Sequence, residues 1–314
     1  MQGYRKGLHD LGNGLWAYLQ PDGGWGLSNA GLVVDGEASL LVDTLFDLRL
    51  TGEMLEAMRR ATPAAASIDT LVNTHANGDH TFGNELVGGA RIVASQACAD
   101  EMGEAGPERL AGLVAAAPQM GETGDYLLDI FGSFEFEGIT LTPPTETFSG
   151  STELRVGAKE VVLHEVGPAH TRGDILVHVP GDRAVFTGDI LFIQGHPIIW
   201  AGPVGNWLRA CDRILAMDVE TIVPGHGPLT DKAGVRALRD YFSYLEAEAR
   251  KRYDAGMSAF EAAGDISLAD YDSWGDAERI VINVHSLYRE FSGDASPLDT
   301  GELFAMMARI SRRG

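Results

Sequence analysis

Four times in this 314-residue sequence, a short run of branched apolar residues ends in a glycine-bearing loop that carries histidine or aspartate. Residues 68–72 lead into THANGDH (74–80), residues 160–166 into GPAHTRGD (167–174), residues 184–186 into the TGD that ends at Asp189, and residues 221–223 into PGHGP around His226. Short runs rich in Val, Ile and Leu are what strands buried in a sheet look like. The pattern therefore restricts the chain to folds with a sheet core whose strand ends offer imidazole and carboxylate groups.

Further runs at 31–34, 39–42, 91–94 and 175–179 read as strands of the same sheet system. Segments 47–60 and 207–217 place apolar residues near three-and-four spacing and read as helices. Beyond residue 230 strand-like runs disappear, and 233–253, 276–291 and 301–312 read as helices. The expected class is α/β, with a sheet-containing domain over 1–230 and a helical C-terminal region over 231–314. Residues 104–151 fit neither pattern: an alanine-rich helix, then GDYLLDIFGSFEFEGITL, then Pro143 and Pro144. That stretch reads as an insertion, a candidate lid or oligomer contact, which leaves a homodimer open.

The charge balance removes several functional classes. Lys plus Arg total 24 against 45 Asp plus Glu, a net charge of -21. Such a chain repels phosphate backbones and anionic membrane surfaces, so nucleic acid and membrane are not expected partners and a small molecule is. No stretch approaches the length of an apolar span. Residues 1–15 contain Arg5 and Lys6 but no long apolar core, so they do not read as a secretory signal. Cys98 and Cys211 are too few for a disulfide framework and fit buried thiols in a cytoplasmic protein.

At the first loop, His75 and His80 flank Asp79, and Gly78 is expected to let the backbone turn tightly. Taken alone, Asp79 has a plain alternative role as a cap accepting backbone N–H groups at the start of a helix over 81–86. His170, Asp189 and His226 at three further strand ends change the balance, because unrelated capping would have to recur at each. Together the six residues are the donor set of a zinc, iron or manganese site.

These motifs resemble the metallo-β-lactamase superfamily, whose pattern is a His-x-His-x-Asp-His loop followed by lone His, Asp and His ligands in that order. The resemblance spans about residues 15–230. It implies an αββα sandwich, two sheets face to face between helical layers, with metal at one edge. It also implies that His75 and His170 serve a first metal site, that Asp79, His80 and His226 serve a second, and that Asp189 bridges them. Asn77 stands where the family has its second histidine, and an amide oxygen is a weaker ligand than an imidazole nitrogen. The expectation is one firmly held ion and one weaker one, zinc first with iron or manganese as alternatives. Asn77 is either a ligand or a hydrogen-bond partner beside the site.

A bound divalent ion would lower the pKa of a coordinated water and polarise a carbonyl, and Asp79 would steer the nucleophile or carry its proton. Asp43, Thr74 and Thr171 are candidate supports for ligand imidazoles, and His196 and Trp200 are candidate substrate contacts. For Asp43 a turn cap, and for His196 loop packing, are the alternatives. Trp207 and the series Phe131, Phe134 and Phe136 could line an apolar pocket or belong to the core. His164 and His178 read as strand-face residues, while His9 and His285 carry no signal.

Within the superfamily, GGWGLSNAGLVVDGEASLLVDT (23–44), NTHANGDHTFGNELV and ITLTPPTETF resemble a bacterial branch of polyketide cyclase and thioesterase-like proteins. The implied activity is metal-dependent hydrolysis of a thioester, lactone or similar ester of a small, apolar substrate. Alternatives are a metal-dependent polyketide cyclase or other non-hydrolytic lyase, and a ligand-binding protein with a degenerate metal site.

Overall fold

The computed structural model describes residues 4–21, 23–104, 106–296 and 298–312. Among them lie β1 (Gly7–Gly12), β2 (Leu15–Leu19), β3 (Ala30–Asp35), β4 (Ala38–Val42), β5 (Thr70–Val72), β6 (Arg91–Ser95) and β7 (Glu146–Phe148), which follow one another across a 7-stranded sheet. β1 to β4 pair antiparallel, as short hairpin connections allow, and β4 to β7 pair parallel. The second sheet has 5 strands: β8 (Ser151–Val156), β9 (Lys159–Glu165), β10 (Ile175–Val179), β11 (Ala184–Phe186) and β12 (Thr221–Val223), likewise in chain order. Only β11 and β12 pair parallel there.

The helices are α1 (Leu48–Ala61), α2 (Gly78–Thr81), α3 (Gln96–Met102), α4 (Pro107–Ala116), α5 (Glu122–Phe131), α6 (Val204–Ala216), α7 (Lys232–Asp254), α8 (Ala259–Asp265), α9 (Ile280–Ser292) and α10 (Thr300–Ser311). Local chemistry starts several of them. Asp47 accepts the Leu50 N–H at the head of α1, Asp231 accepts the Ala233 N–H at α7, and Ser258 with Glu261 forms a reciprocal cap on α8.

The strands alternate their side chains between two faces, and both faces of each sheet are covered. Between the sheets, Ala17, Val33, Leu40, Val42 and Val72 meet Val161, Leu163, Ile175, Val177 and Phe186. On the outer face of the larger sheet, Leu32, Leu41, Leu71 and Ile92 pack on Leu50, Met54 and Met58 of α1 and on Phe131, Phe134 and Phe136. On the outer face of the smaller sheet, Leu176, Val185 and Ile222 pack on Trp207 and Ile214 of α6, Leu238 and Phe242 of α7, and Ile282 of α9. The result is a helix-sheet-sheet-helix sandwich with helices from 231 onward in its outer layer. Within 104–151, α5 and the phenylalanines after it pack on the larger sheet and β7 is its edge strand, while Arg312, just beyond α10, pairs with Glu122 and Asp125 of α5.

The apolar runs read from the sequence all fall on strands, while β1, β2, β7 and β8 have no counterpart among them. β1, β7 and β8 lie at sheet edges, so one side faces solvent and the run is half polar, as in β8, where Leu154 and Val156 are buried and Glu153 and Arg155 exposed. The helix expected over 276–291 is shortened at its start. Asp276 adopts a left-handed backbone (φ 59), a 3-10 turn follows over Ala277–Arg279, and α9 begins at Ile280.

Topology gathers the polar loops at one edge of the sandwich. β4 and β5 run parallel with Val42 beside Val72, so Asp43 and the 74–80 loop leave the sheet side by side. β11 and β12 run parallel with Phe186 beside Val223, so Asp189 and His226 emerge together. β10 runs antiparallel to β11, and the loop that feeds it, carrying His170, is brought to the same edge.

Candidate metal centre

Four imidazoles and two carboxylates meet at that edge. His75, His80, His170, Asp189 and His226 are all buried, and Asp79 is the most open of the six, its side chain 14% exposed. Asp79 does not cap a helix: it lies inside the short α2, whose N-cap Asn77 makes no side-chain cap bond either. Gly78 is needed for space rather than for a left-handed turn, because a Cβ there would come within 2.5 Å of the Phe82 ring.

The outer nitrogens of the imidazoles fix the tautomers. Nδ1 of His170 lies 2.7 Å from the carbonyl of Ile198, and Nδ1 of His226 lies 3.0 Å from the carbonyl of Gly23. A carbonyl only accepts, so both Nδ1 atoms carry protons. Nδ1 of His80 donates to Asp43 Oδ2 at 2.9 Å. The Thr74 hydroxyl donates its one proton to the same Asp43 oxygen at 2.7 Å, so His75 Nδ1, 3.0 Å from Thr74 Oγ1, must be the donor in that contact. Asp43 thus orients His80 directly and His75 through Thr74, and it also accepts the Thr74 N–H at 2.7 Å. In the neutral rings all four Nε2 atoms carry lone pairs facing inward, and their outer partners hold them as such partners hold metal ligands.

The inward atoms converge on Asp189. His80 Nε2 lies 3.1 Å from Asp189 Oδ1, while His170, His226 and His75 Nε2 lie 3.3, 3.4 and 3.8 Å from Oδ2. His226 Nε2 is also 3.2 Å from Asp79 Oδ2. His75 Nε2, His80 Nε2 and Asp189 Oδ1 are buried without a hydrogen-bond partner. An unpaired buried polar atom costs about 1–3 kcal/mol, so three at one point need an explanation, and a divalent cation supplies it. Gly225 keeps the space clear, since a Cβ there would stand 2.0 Å from Asp189 Oδ1. Two groups have ligand atoms mutually within 4.8 Å, His75 with His80 and Asp189, and Asp79 with His80 and His226.

Electrostatics agree with a site built for positive charge. Burial lowers the pKa of His75 and His170, but at His226 the carboxylates of Asp189 and Asp79 overcome burial and raise it to about 9. The same balance, with Asp43 added, raises His80 well above its ordinary value. Against its own burial, Asp189 is held well below the usual carboxylate range by the four imidazoles. Without a cation, protons take its place.

Residues 23–226 match the sequence model of the metallo-β-lactamase superfamily. The chain belongs to that superfamily. It is 31% identical over 87 residues to the hydroxyacylglutathione hydrolase of Fuscovulum blasticum, covering 27% of this chain and 34% of that protein. It is 34% identical over 103 residues to the probable hydroxyacylglutathione hydrolase of Schizosaccharomyces pombe, covering 32% and 38%. The chain thus spans little more than a third of the length of these relatives. Among solved structures, a stereoselective inverting sec-alkylsulfatase from Pseudomonas sp. superposes with a TM-score of 0.66 at 15% identity, over 93% of this chain and 52% of that one. A metallo-β-lactamase from Pontibacter korlensis superposes at 0.55 with 19% identity, over 75% and 99%. The fold is the metallo-β-lactamase fold.

Against the superfamily pattern, Asn77 places its amide oxygen 2.8 Å from His170 Nε2, at the position of the absent histidine. Other candidates lie elsewhere. Thr171 supports no imidazole: its hydroxyl and N–H bond Asp174. His196 is fully buried, with Nδ1 3.1 Å from the Tyr241 hydroxyl and its ring against Trp274, so it packs a loop instead of facing the centre. Trp200 reaches the centre through its main chain, which donates to the carbonyl of His170. Trp207 and the three phenylalanines are core, and His164 sits on its strand face against Ser151 and Arg213.

Several contributors have no counterpart in the sequence reading. Asp174, its carboxyl pushed up to about 8 by burial, accepts from the Ala169 and Thr171 backbone and braces the His170 loop. Asn29 donates to the carbonyls of Pro224 and Gly227, holding the His226 loop from both sides. Phe192 stacks on the His226 ring, centroids 4.9 Å apart and planes 2° from parallel. Asp174 closes the motif that carries His170 and Phe192 lies three residues beyond Asp189, a closeness that could have pointed to both; Asn29 lies far from its partners in sequence.

Among the described residues no helix is long and apolar enough to cross a membrane.

Proposed function

We propose that this protein is a metal-dependent hydrolase acting on the acyl carbon of a thioester, or of a related ester, in a small substrate. The observation that carries the proposal is the set of four inward Nε2 atoms around Asp189, with two of them, on His75 and His80, and Asp189 Oδ1 buried and unpaired. His75, His170 and Asp189 would hold one ion, with Asn77 at the fourth place. Asp79, His80, His226 and Asp189 would hold the other, more firmly. Zinc suits this nitrogen and oxygen set, as do iron and manganese. Such an ion makes water nucleophilic near neutral pH and polarises a carbonyl.

The chain's own residues supply the rest. Asp43, Ile198 and Gly23 hold the imidazoles in the tautomer that binds, and Asp79, the most open carboxylate, is placed to hold a proton in transit. The choice of a thioester rests on the hydroxyacylglutathione hydrolases, whose named substrate carries its acyl group on sulfur. A net charge of -21 favours a small-molecule substrate over nucleic acid.

The test is thiol release from an S-hydroxyacylglutathione by protein as purified, after chelation, and after zinc is restored. Loss and recovery are expected. Undiminished turnover after complete metal removal would overturn the metal mechanism, and absence of turnover in zinc-loaded protein would overturn the thioester.

A further inference from the structure

The turn before α9 reaches the metal centre through hydrogen bonds and not through a ligand. Glu278, 9% exposed, accepts on one oxygen both the indole N–H of Trp25 at 3.1 Å and the hydroxyl of Tyr126 at 2.9 Å. Three segments far apart in sequence are tied there: the β2–β3 loop, helix α5 and the C-terminal helices. Burial and the nearby Glu278 carboxylate keep the Tyr126 phenol protonated, so it remains a donor.

Trp25 stands two residues beyond Gly23, whose carbonyl receives the His226 Nδ1 proton. Gly23 has a left-handed backbone (φ +69), and a Cβ there would lie 2.7 Å from the backbone nitrogen of Gly227. The 23–29 loop and the His226 loop therefore touch backbone to backbone, and the place of the Gly23 carbonyl depends on how that loop is anchored. A second contact runs in parallel: the Arg279 guanidinium lies 4.6 Å over Trp25 and 5.6 Å over Phe192, which stacks on His226.

We propose that Glu278 is a positioning residue for the metal centre, holding Trp25 so that the Gly23 carbonyl keeps His226 in its metal-binding tautomer and orientation. The proposal rests on the metal-binding reading of that centre. It assigns the C-terminal helices and residues 104–151 a shared part in metal affinity, although neither supplies a ligand.

The test is zinc affinity by competition with a chromophoric chelator, together with the visible spectrum of the cobalt-loaded protein, for the parent, Glu278→Ala and Glu278→Gln. Partners outside the ligand shell of a metal site are each worth 10–100-fold in affinity, and Glu278 acts one contact further out, so a loss of about tenfold is expected for Glu278→Ala. Glu278→Gln keeps an acceptor oxygen and is expected to bind within about twofold of the parent, by the same reasoning, with an unchanged cobalt spectrum. Zinc binding by Glu278→Ala equal to the parent would overturn the proposal, as would an equal loss in both variants.

Should Glu278→Ala fail to fold, Trp25→Phe is the second variant: it keeps an aromatic ring beneath Arg279 and removes the N–H that Glu278 accepts, together with one of the two fused rings. A several-fold loss supports the assignment and an unchanged affinity overturns it. A parent protein that takes up no zinc overturns the metal reading itself, an outcome distinct from any difference among variants.

Discussion

The two ends of the β-sandwich both gather polar and charged side chains and do opposite things with them. At one end His75, His80, His170, His226, Asp79 and Asp189 are buried or nearly so, and several polar atoms face one another unpaired. At the other end a cleft of about 440 Å³ is lined by Asp69, Thr70, Arg91, Glu146, Thr152, Glu153, Leu154 and Arg155. There Arg91 pairs with Glu146 at 3.6 Å, and Arg155, 67% exposed, pairs with Glu160 at 3.7 Å. Such exposed pairs contribute about 0–1 kcal/mol and are screened by salt. The comparison teaches that charge alone does not make a site. Burial of unpaired lone pairs, aligned by partners behind them, leaves a demand for positive charge that a bound cation would meet.

The largest effect expected from that contrast is complete loss of metal in Asp189→Ala, read by elemental analysis, since the carboxylate faced by all four imidazoles is gone. Full metal content in that variant would erase the distinction between the two ends. Next comes pH. His226 is raised to about 9 in the metal-free protein and His80 is raised as well, so metal must displace protons, and zinc affinity should climb between pH 6.5 and 9 by about tenfold per pH unit for each proton released. The sign for folding is the reverse: a raised histidine stabilises the metal-free protein below its ordinary pKa, and that contribution is lost as pH rises through 9. A flat affinity profile across that window would show that the imidazole is not protonated in the metal-free state.

Asp43→Asn comes third. Asp43 has a left-handed backbone (φ 62) that asparagine tolerates, so the variant isolates the loss of the carboxylate behind His80 and Thr74. A loss of 10–100-fold in metal affinity is expected in a zinc titration, and an unchanged value would remove Asp43 from the site. Asn77→His should raise metal content toward a second ion per chain, and unchanged content would mean that Asn77 is not at a ligand position. Smallest of all, Arg155→Ala at the opposite cleft should leave metal content untouched and move stability by no more than about 0.5 kcal/mol in denaturant unfolding.

Much of the centre was legible because its groups sit in local motifs. A strand run, a glycine and a histidine or aspartate within a few residues announce a ligand loop, and each of the six donors lies in such a stretch. The supports were legible only in part. Asp43 and Thr74 border strand ends and were within reach of the reading, whereas Asn29 acts across 195 residues and Glu278 across 253. His196 shows the opposite failure. Its closeness in sequence to Asp189 suggested a place in the pocket, yet its ring turns to Tyr241.

By itself the sequence determined the class of fold, the strands with two buried faces, and the identity of the atoms that meet at the centre, because hydrophobic period and ligand chemistry are written locally. Only the tertiary structure decided which nitrogen of each imidazole faces inward, that Asp43 serves two ligands, and that C-terminal helices lean on a loop near the other end of the chain. Those are properties of distance and proton inventory between segments, and a linear pattern carries no record of which segments will touch.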